Sequence, residues 1–214
     1  MPSPAPVRDA QPVVLIVDDD PLVRGALDSL FRSVDHAVRN YGSAQELLDA
    51  ALPDSPCCLV VDVRMPHIGG FECRERLAER GVDLPVIFLT GHGDIPMSVK
   101  AMKGGAVDFL TKPFRDQDML DAVNAGMARA AERRSAAQGT AALRARFATL
   151  TARERQVMDG VVRGLLNKQI AGDLGIAEIT VKLHRASLMR KLALRTVPDL
   201  VRAAEALIPA EAAA

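Results

Sequence analysis

The sequence predicts an α/β domain built on a doubly wound, five-stranded parallel sheet, followed by a small all-α domain. Three observations lead to this. Strand-like runs alternate with helical patterns over roughly the first 125 residues, the signature of βα units that stack helices on both faces of a parallel sheet. Beyond residue 147 that alternation stops and helix-capping patterns take over. Charge divides along the same line. Residues 1–125 carry 12 Lys+Arg and 19 Asp+Glu, a net −7, whereas residues 126–214 carry 15 and 8, a net +7.

The first strand, Val13–Val17, is a continuous β-branched run and reads as a strand buried on both faces. Asp18-Asp19-Asp20 follows it at once. Asp20 before Pro21 suits a helix N-cap with proline at the first helical position, over Pro21–Val34. The next strands are Ala37–Tyr41, Leu59–Val61, Val86–Thr90 and Asp108–Thr111, with helices expected at Ser43–Ala51, Phe71–Glu79 and Ile95–Gly104. A fifth helix starts near Asp116. Strong helix formers without proline carry it to Ala137. Gly139-Thr140 reads as a break before Ala141–Thr149. This Ala/Arg-rich stretch is poor in large apolar residues and reads as a linker, with a coiled-coil seam as the alternative.

The remainder is helical. Thr151-Ala152-Arg153-Glu154 fits a capping box. Asn167 is expected to cap the next helix and Gly175 to end it. A third helix spans about Glu178–Leu192, and Thr196 and Pro198 start a fourth near Val197–Leu207.

With 214 residues, half of them apolar, the chain suits two small domains. Its N-terminus lacks the pattern of a signal peptide, and no apolar run approaches the length of a membrane span. Three cysteines point to no disulfide framework, so the expected compartment is the cytoplasm. The four histidines are scattered and form no zinc pattern.

Chemistry concentrates at the carboxyl ends of the strands, where open α/β sheets bind ligands. Asp18 and Asp19 end the first strand, Asp62 the third, Thr90 the fourth, and Lys112-Pro113 the fifth. Adjacent carboxylates repel unless a cation neutralises them, and a hard divalent ion with oxygen ligands is the natural partner. The set suits an aspartate that accepts a phosphoryl group. Asp18 and Asp19 hold the metal, while the lysine ammonium and threonine hydroxyl bind phosphoryl oxygens.

These residues carry a resemblance. Val17-Asp18-Asp19-Asp20, Val61-Asp62-Val63-Arg64-Met65-Pro66, Thr90-Gly91-His92-Gly93 and Lys112-Pro113-Phe114 resemble the flavodoxin-like receiver domain of two-component response regulators, over about residues 12–130. The resemblance implies Asp62 as phosphoacceptor. It implies Asp19, Asp62 and the Arg64 backbone carbonyl as direct Mg2+ (or Mn2+) ligands, with Asp18 assisting. Thr90 and Lys112 become the phosphate contacts, Lys112-Pro113 a cis peptide, and Phe109 the aromatic switch that responds to Thr90.

In Glu178–Leu192 a helical period puts Val181, Leu188 and Leu192 on one face, with His184 beside them, packed on Val157, Ile170 and Leu174. The opposite face shows Ile179, Lys182, Leu183, Ala186 and Arg190. Such a face on the last helix of a tri-helical unit suits a DNA major groove. Leu150–Arg155, Asn167–Ala171 and Thr180–Arg185 resemble the LuxR-type helix-turn-helix, over about residues 147–208. That resemblance makes Lys182, Leu183 and Ala186 base-facing, with Arg190 on the same face. It makes Lys168, Thr180, His184 and Lys191 phosphate contacts. Ala177 stands where a capping serine is usual, so that side-chain cap is expected to be missing.

Together the two modules are similar to regulators of the FixJ/NarL class, in its FixJ branch and of the StyR/TodT type. The implied division is a disordered N-terminus (1–11), receiver (12–130), helical linker (131–146), helix-turn-helix domain (147–208) and flexible tail (209–214). The implied function is a response regulator transcription factor, phosphorylated by a sensor histidine kinase, dimerising through the fourth helix and fifth strand of the receiver and binding promoter DNA. RNA polymerase is a further expected partner. The chain is expected to assist its own phosphorylation and slow dephosphorylation without turning over a substrate. A metal-dependent phosphatase with an aspartyl phosphate is the rival reading, though such enzymes carry their nucleophile on the first strand.

Overall fold

A computed structural model describes residues 11–91 and 95–207, and the chain divides into two units between Arg134 and Ser135. The expected disordered N-terminus (Gln11 apart) and the expected tail lie outside the described residues, as do His92 and Gly93.

The first unit is the expected doubly wound domain. Five strands, β1 (Val13–Val17), β2 (Ala37–Tyr41), β3 (Cys57–Asp62), β4 (Val86–Thr90) and β5 (Asp108–Thr111), form one parallel sheet in the order β2-β1-β3-β4-β5. Alternation along the strands divides the core between two faces. Leu15, Val17, Leu59, Val61 and Phe88 point to α2 (Ala44–Asp49), α3 (Gly70–Glu79) and α4 (Ile95–Lys103), whose Leu47, Cys73, Leu77 and Ala101 close that side. Val14, Ile16, Val60, Ile87 and Leu89 point to α1 (Pro21–Ser33) and α5 (Asp116–Ala148), which contribute Leu27, Phe31, Met119 and Val123. All of β1, β3 and β4 is buried, which is why these strands lack polar alternation in sequence. Cys57, Cys58 and Cys73 are free and buried, and burial pushes the Cys58 thiol up to about 12, so they serve as small apolar groups.

Two expectations are corrected here. β3 runs over Cys57–Asp62 rather than Leu59–Val61, because Cys57 and Cys58 pair with Val13 and Val14 of β1. The helical break at Gly139-Thr140 is absent: α5 continues through it to Ala148. A glycine inside a helix costs about 1 kcal/mol, too little to end one with good formers on both sides. Thr140 Oγ1 donates back to the Ala136 carbonyl at 3.0 Å, a bond available inside a helix.

The second unit adds α6 (Ala152–Val162), α7 (Asn167–Leu174), α8 (Glu178–Leu192) and α9 (Val197–Leu207). Val157, Val161, Ile170, Val181, Leu188, Leu192 and Leu200 form its core, so the buried face assigned to α8 is the observed one. Asn167 is not a cap. It occupies the first helical position, and its Oδ1 accepts from Arg185 Nη1 of α8 at 3.1 Å. The backbone N–H of Leu166 instead donates to Gln169 Oε1 at 2.8 Å. Gly175 ends α7 at φ 63°, a conformation glycine adopts without penalty.

A buried carboxylate staples this unit. Thr151 and Glu154 form the expected capping box of α6. The Glu154 side chain, only 5% exposed, also accepts from Ser187 Oγ and Lys191 Nζ of α8, both at 2.7 Å. The Lys191 ammonium, with the Thr151 amide and the Ser187 hydroxyl, pulls the Glu154 carboxyl from 4.5 down to about 2. A carboxyl whose pKa falls on folding stabilises the fold above its unfolded value and loses that contribution as pH drops through the folded value. Glu154→Gln is therefore expected to cost about 1–3 kcal/mol at neutral pH. Its deficit against wild type should shrink between about pH 4.5 and pH 2, read by amide exchange in α6 and α8. A deficit that stays constant over that range would contradict the assignment.

Candidate functional site

The strand register assembles the acidic site. β1 and β3 pair with Val17 opposite Val61, so Asp18 and Asp62 leave the sheet side by side. β4 and β5 pair with Thr90 opposite Thr111, and the Lys112 N–H donates to the Thr90 carbonyl at 2.7 Å. Carboxylate oxygens of Asp18, Asp19 and Asp62 lie within 4.8 Å of one another. Lys112 Nζ bridges two of them, at 2.6 Å from Asp18 Oδ2 and 2.5 Å from Asp62 Oδ2. The Lys112-Pro113 peptide is cis, as expected.

Backbone amides hold the remaining oxygens. Asp18 Oδ1 accepts from the Asp20 N–H and Asp62 Oδ1 from the Arg64 N–H, each at 2.9 Å. Asp20 itself turns away, its carboxylate accepting from Leu22 N at 2.8 Å to cap α1. The expected capping role of Asp20 is thus observed. Asp18 is fully buried, Asp62 and Thr90 are buried, and Asp19 is exposed.

Electrostatics follow from this packing. Burial pushes the Asp18 carboxyl above its ordinary value, against the pull of the Lys112 hydrogen bond and the Asp20 amide. Burial also disfavours the Lys112 ammonium, yet the hydrogen bonds it donates to Asp18 and Asp62 prevail and hold its pKa above the ordinary lysine value. One ammonium does not balance three carboxylates. An all-oxygen donor set with one exposed member fits a hard divalent cation such as Mg2+.

The register also relates Thr90 to Phe109. Phe88 pairs with Phe109 and Thr90 with Thr111, so all four side chains alternate onto one face of the sheet. The Phe109 ring is half-buried against the core on that face.

Two contributors escaped sequence reading. Arg24 of α1 donates from Nη1 to the Asp18 carbonyl at 2.6 Å, fixing the backbone between Asp18 and Asp19. Gly70 starts α3 against the end of β3: a Cβ there would lie 2.5 Å from the Asp62 carbonyl oxygen. The Gly69-Gly70 pair is visible in the sequence, but what it abuts is set by the packing of α3.

The basic surface is carried by α8. Lys182, Leu183, Ala186 and Arg190 are exposed together, with Lys168 exposed on α7, whereas Thr180 and His184 are half-buried. Lys182 pairs with Glu178 at 3.1 Å, one turn away. Exposed pairs of this kind are worth only about 0.3–0.5 kcal/mol, so Lys182 is readily released. Lys191 is held from within: its ammonium donates to the buried Glu154 and the Thr149 carbonyl, while its side chain stays 31% exposed. The missing side-chain cap at Ala177 is confirmed.

Comparison with known proteins gives a family for each unit. Residues 14–124 match the family described as "Response regulator receiver domain", and residues 148–204 match "Bacterial regulatory proteins, luxR family". Nodulation protein W of Bradyrhizobium diazoefficiens is 51% identical over 91% of this chain and 86% of its own length. Response regulator protein TodT of Pseudomonas putida F1 is 45% identical over 94% of this chain and 88% of its own. A solved structure of the response regulator StyR superposes with a TM-score of 0.81 at 47% identity, covering 92% of this chain and 99% of that one.

The contact at Gly70 yields a prediction. Gly70→Ala is expected to push back the Asp62 carbonyl and lower phosphoryl uptake from a small-molecule donor by about tenfold or more, since displacements near 1 Å at a reacting group cost up to about a hundredfold. Uptake at the wild-type rate would show that this contact does not set the position of Asp62.

Proposed function

The chain belongs to the response regulators that join a receiver to a LuxR-type DNA-binding domain, and on that premise we propose that it is a transcription factor switched by phosphorylation of Asp62. The observation that carries this reading is the Lys112 ammonium held between Asp18 and Asp62, beside the exposed Asp19. Asp62 is the nucleophile. One of its carboxylate oxygens bonds to phosphorus as the P–N bond of a kinase phosphohistidine breaks, returning the imidazole to the kinase. Asp19, Asp62 and the Arg64 carbonyl would hold Mg2+ or Mn2+, with Asp18 assisting. Such an ion, when bound, screens the repulsion between carboxylate and phosphoryl oxygens. Lys112 and Thr90 donate to those oxygens. Water later attacks phosphorus, the P–O bond to Asp62 breaks, and inorganic phosphate leaves. The chain thus assists its own phosphorylation and slow dephosphorylation without being a turnover enzyme.

An apolar groove opens beside the site, lined by Val23, Ala26, Leu27, Leu30, Pro113 and Phe114. It offers the sensor histidine kinase a surface next to Lys112. On phosphorylation Thr90 moves to the phosphate and Phe109 turns inward, which shifts the population of the α4–β5 face. Val99 and Met102 on α4 are exposed apolar side chains, 43% and 50%, and supply a dimer contact. α9 supplies a second. A dimer brings two copies of α8 to two half-sites of promoter DNA, where RNA polymerase is the downstream partner. Lys182, Leu183 and Ala186 face bases, with Arg190 beside them. Lys168, Thr180 and His184 contact phosphates.

Incubation with acetyl phosphate and Mg2+, followed by phosphate-affinity electrophoresis, tests the chemistry. The wild type is expected to shift, Asp62→Asn not to shift, and Lys112→Ala to react about a hundredfold more slowly. EDTA should abolish the reaction. A full shift in Asp62→Asn would transfer the phosphoryl group to another residue and overturn the assignment.

A further inference from the structure

The second unit exposes two large apolar side chains on the outer face of α8. Ile179 and Leu183 are 64% and 65% exposed. They lie one turn apart on α8, whose opposite face closes the core through Val181, Leu188 and Leu192. Burial of either against Val157 or Ile170 would require turning the helix over, so this exposure belongs to the packed state.

The company they keep identifies the occupant. Lys182 stands between them, Ala186 and Arg190 continue the same face, and Lys168 lies exposed on α7. An apolar ridge flanked by Lys182, Arg190 and Lys168, with Glu178 paired to Lys182, is poorly suited to an apolar protein groove and well suited to a polyanion with apolar points inside it. In the DNA major groove the apolar group on a base edge is the thymine 5-methyl. Phosphates flanking the groove meet the lysines and arginine.

We propose that Ile179, together with Leu183, is a specificity-determining residue that reads thymine methyl groups in the half-site. The proposal rests on the DNA-binding reading above. Residues four apart on a helix are separated by about 6 Å along its axis, close to two base-pair steps of about 3.4 Å. The two side chains therefore address two thymines one to two steps apart. A branched aliphatic chain has no hydrogen-bonding group, so this part of the code is read by methyl contact alone. Ala177 strengthens the case for Ile179. With no side-chain cap at that position, a small alanine precedes the first turn of α8, and Ile179 stands 64% exposed beside it.

The test removes one methyl at a time. The full-length chain, treated with acetyl phosphate and Mg2+, selects duplexes from a random DNA pool, and each thymine of the recovered half-site is replaced by deoxyuridine. At two positions the wild type is expected to lose about three- to fivefold in affinity, the effect of one buried methyl. Ile179→Ala should abolish the loss at one of them and Leu183→Ala at the other. Both variants should keep the wild-type salt dependence, which reports phosphate contacts. Both residues are exposed, so neither change threatens the fold. Deoxyuridine without effect at every position, or undiminished methyl sensitivity in Ile179→Ala, would overturn the inference while leaving DNA binding intact. A wild-type chain that enriches no duplex would overturn the DNA-binding reading as well.

Discussion

Repulsion among three carboxylates at one edge of the sheet, relieved by the Lys112 ammonium, is the constraint around which the first unit is organised. Strands β1, β3 and β5 must end in register for Asp18, Asp62 and Lys112 to meet. Two backbone amides and the Arg24 guanidinium then fix the loops that follow β1 and β3. The same crowding creates the chemistry. In the proposed reading the Asp62 carboxylate, held beside other anions and the Lys112 ammonium, takes up the phosphoryl group. A lysine shared between two aspartates has a ready alternative partner in the phosphate.

Much of this was legible in the sequence because buried parallel strands announce themselves. Their apolar runs stop where polar chemistry begins, so Asp18, Asp62, Thr90 and Lys112 fall at strand ends by inspection. The buried face of α8 was legible for the same reason, through its helical period. Contacts that depend on how two elements approach were not legible. Gly70 looks like any loop glycine until α3 is laid against β3. Asn167 has the chemistry of a cap, but Arg185 of α8 claims its side chain, and Gln169 serves the Leu166 amide instead. Lys191 counts as a surface cation in sequence, yet the buried Glu154 of α6 draws it in. Gly139 misled in the opposite direction, because a local propensity was asked to decide what the helix formers on both sides of it decided.

The second unit solves a different problem with similar means. A small helical core needs its helices pinned, and Glu154 does so by serving the cap of α6 and two side chains of α8 at once. That staple orients the helix whose outer face carries Lys182, Leu183, Ala186 and Arg190. The acidic site and the basic face thus divide the chain's zero net charge into a module suited to a cation and a phosphoryl group and a module suited to DNA.

Phosphorylation of the first module is proposed to govern DNA binding by the second. Affinity of the full chain for a selected duplex, measured before and after acetyl phosphate with Mg2+, tests it most directly. A rise of about tenfold or more is expected in the wild type, within the usual range of allosteric coupling, and none in Asp62→Asn. Unchanged affinity in the wild type, or an equal rise in Asp62→Asn, would contradict it.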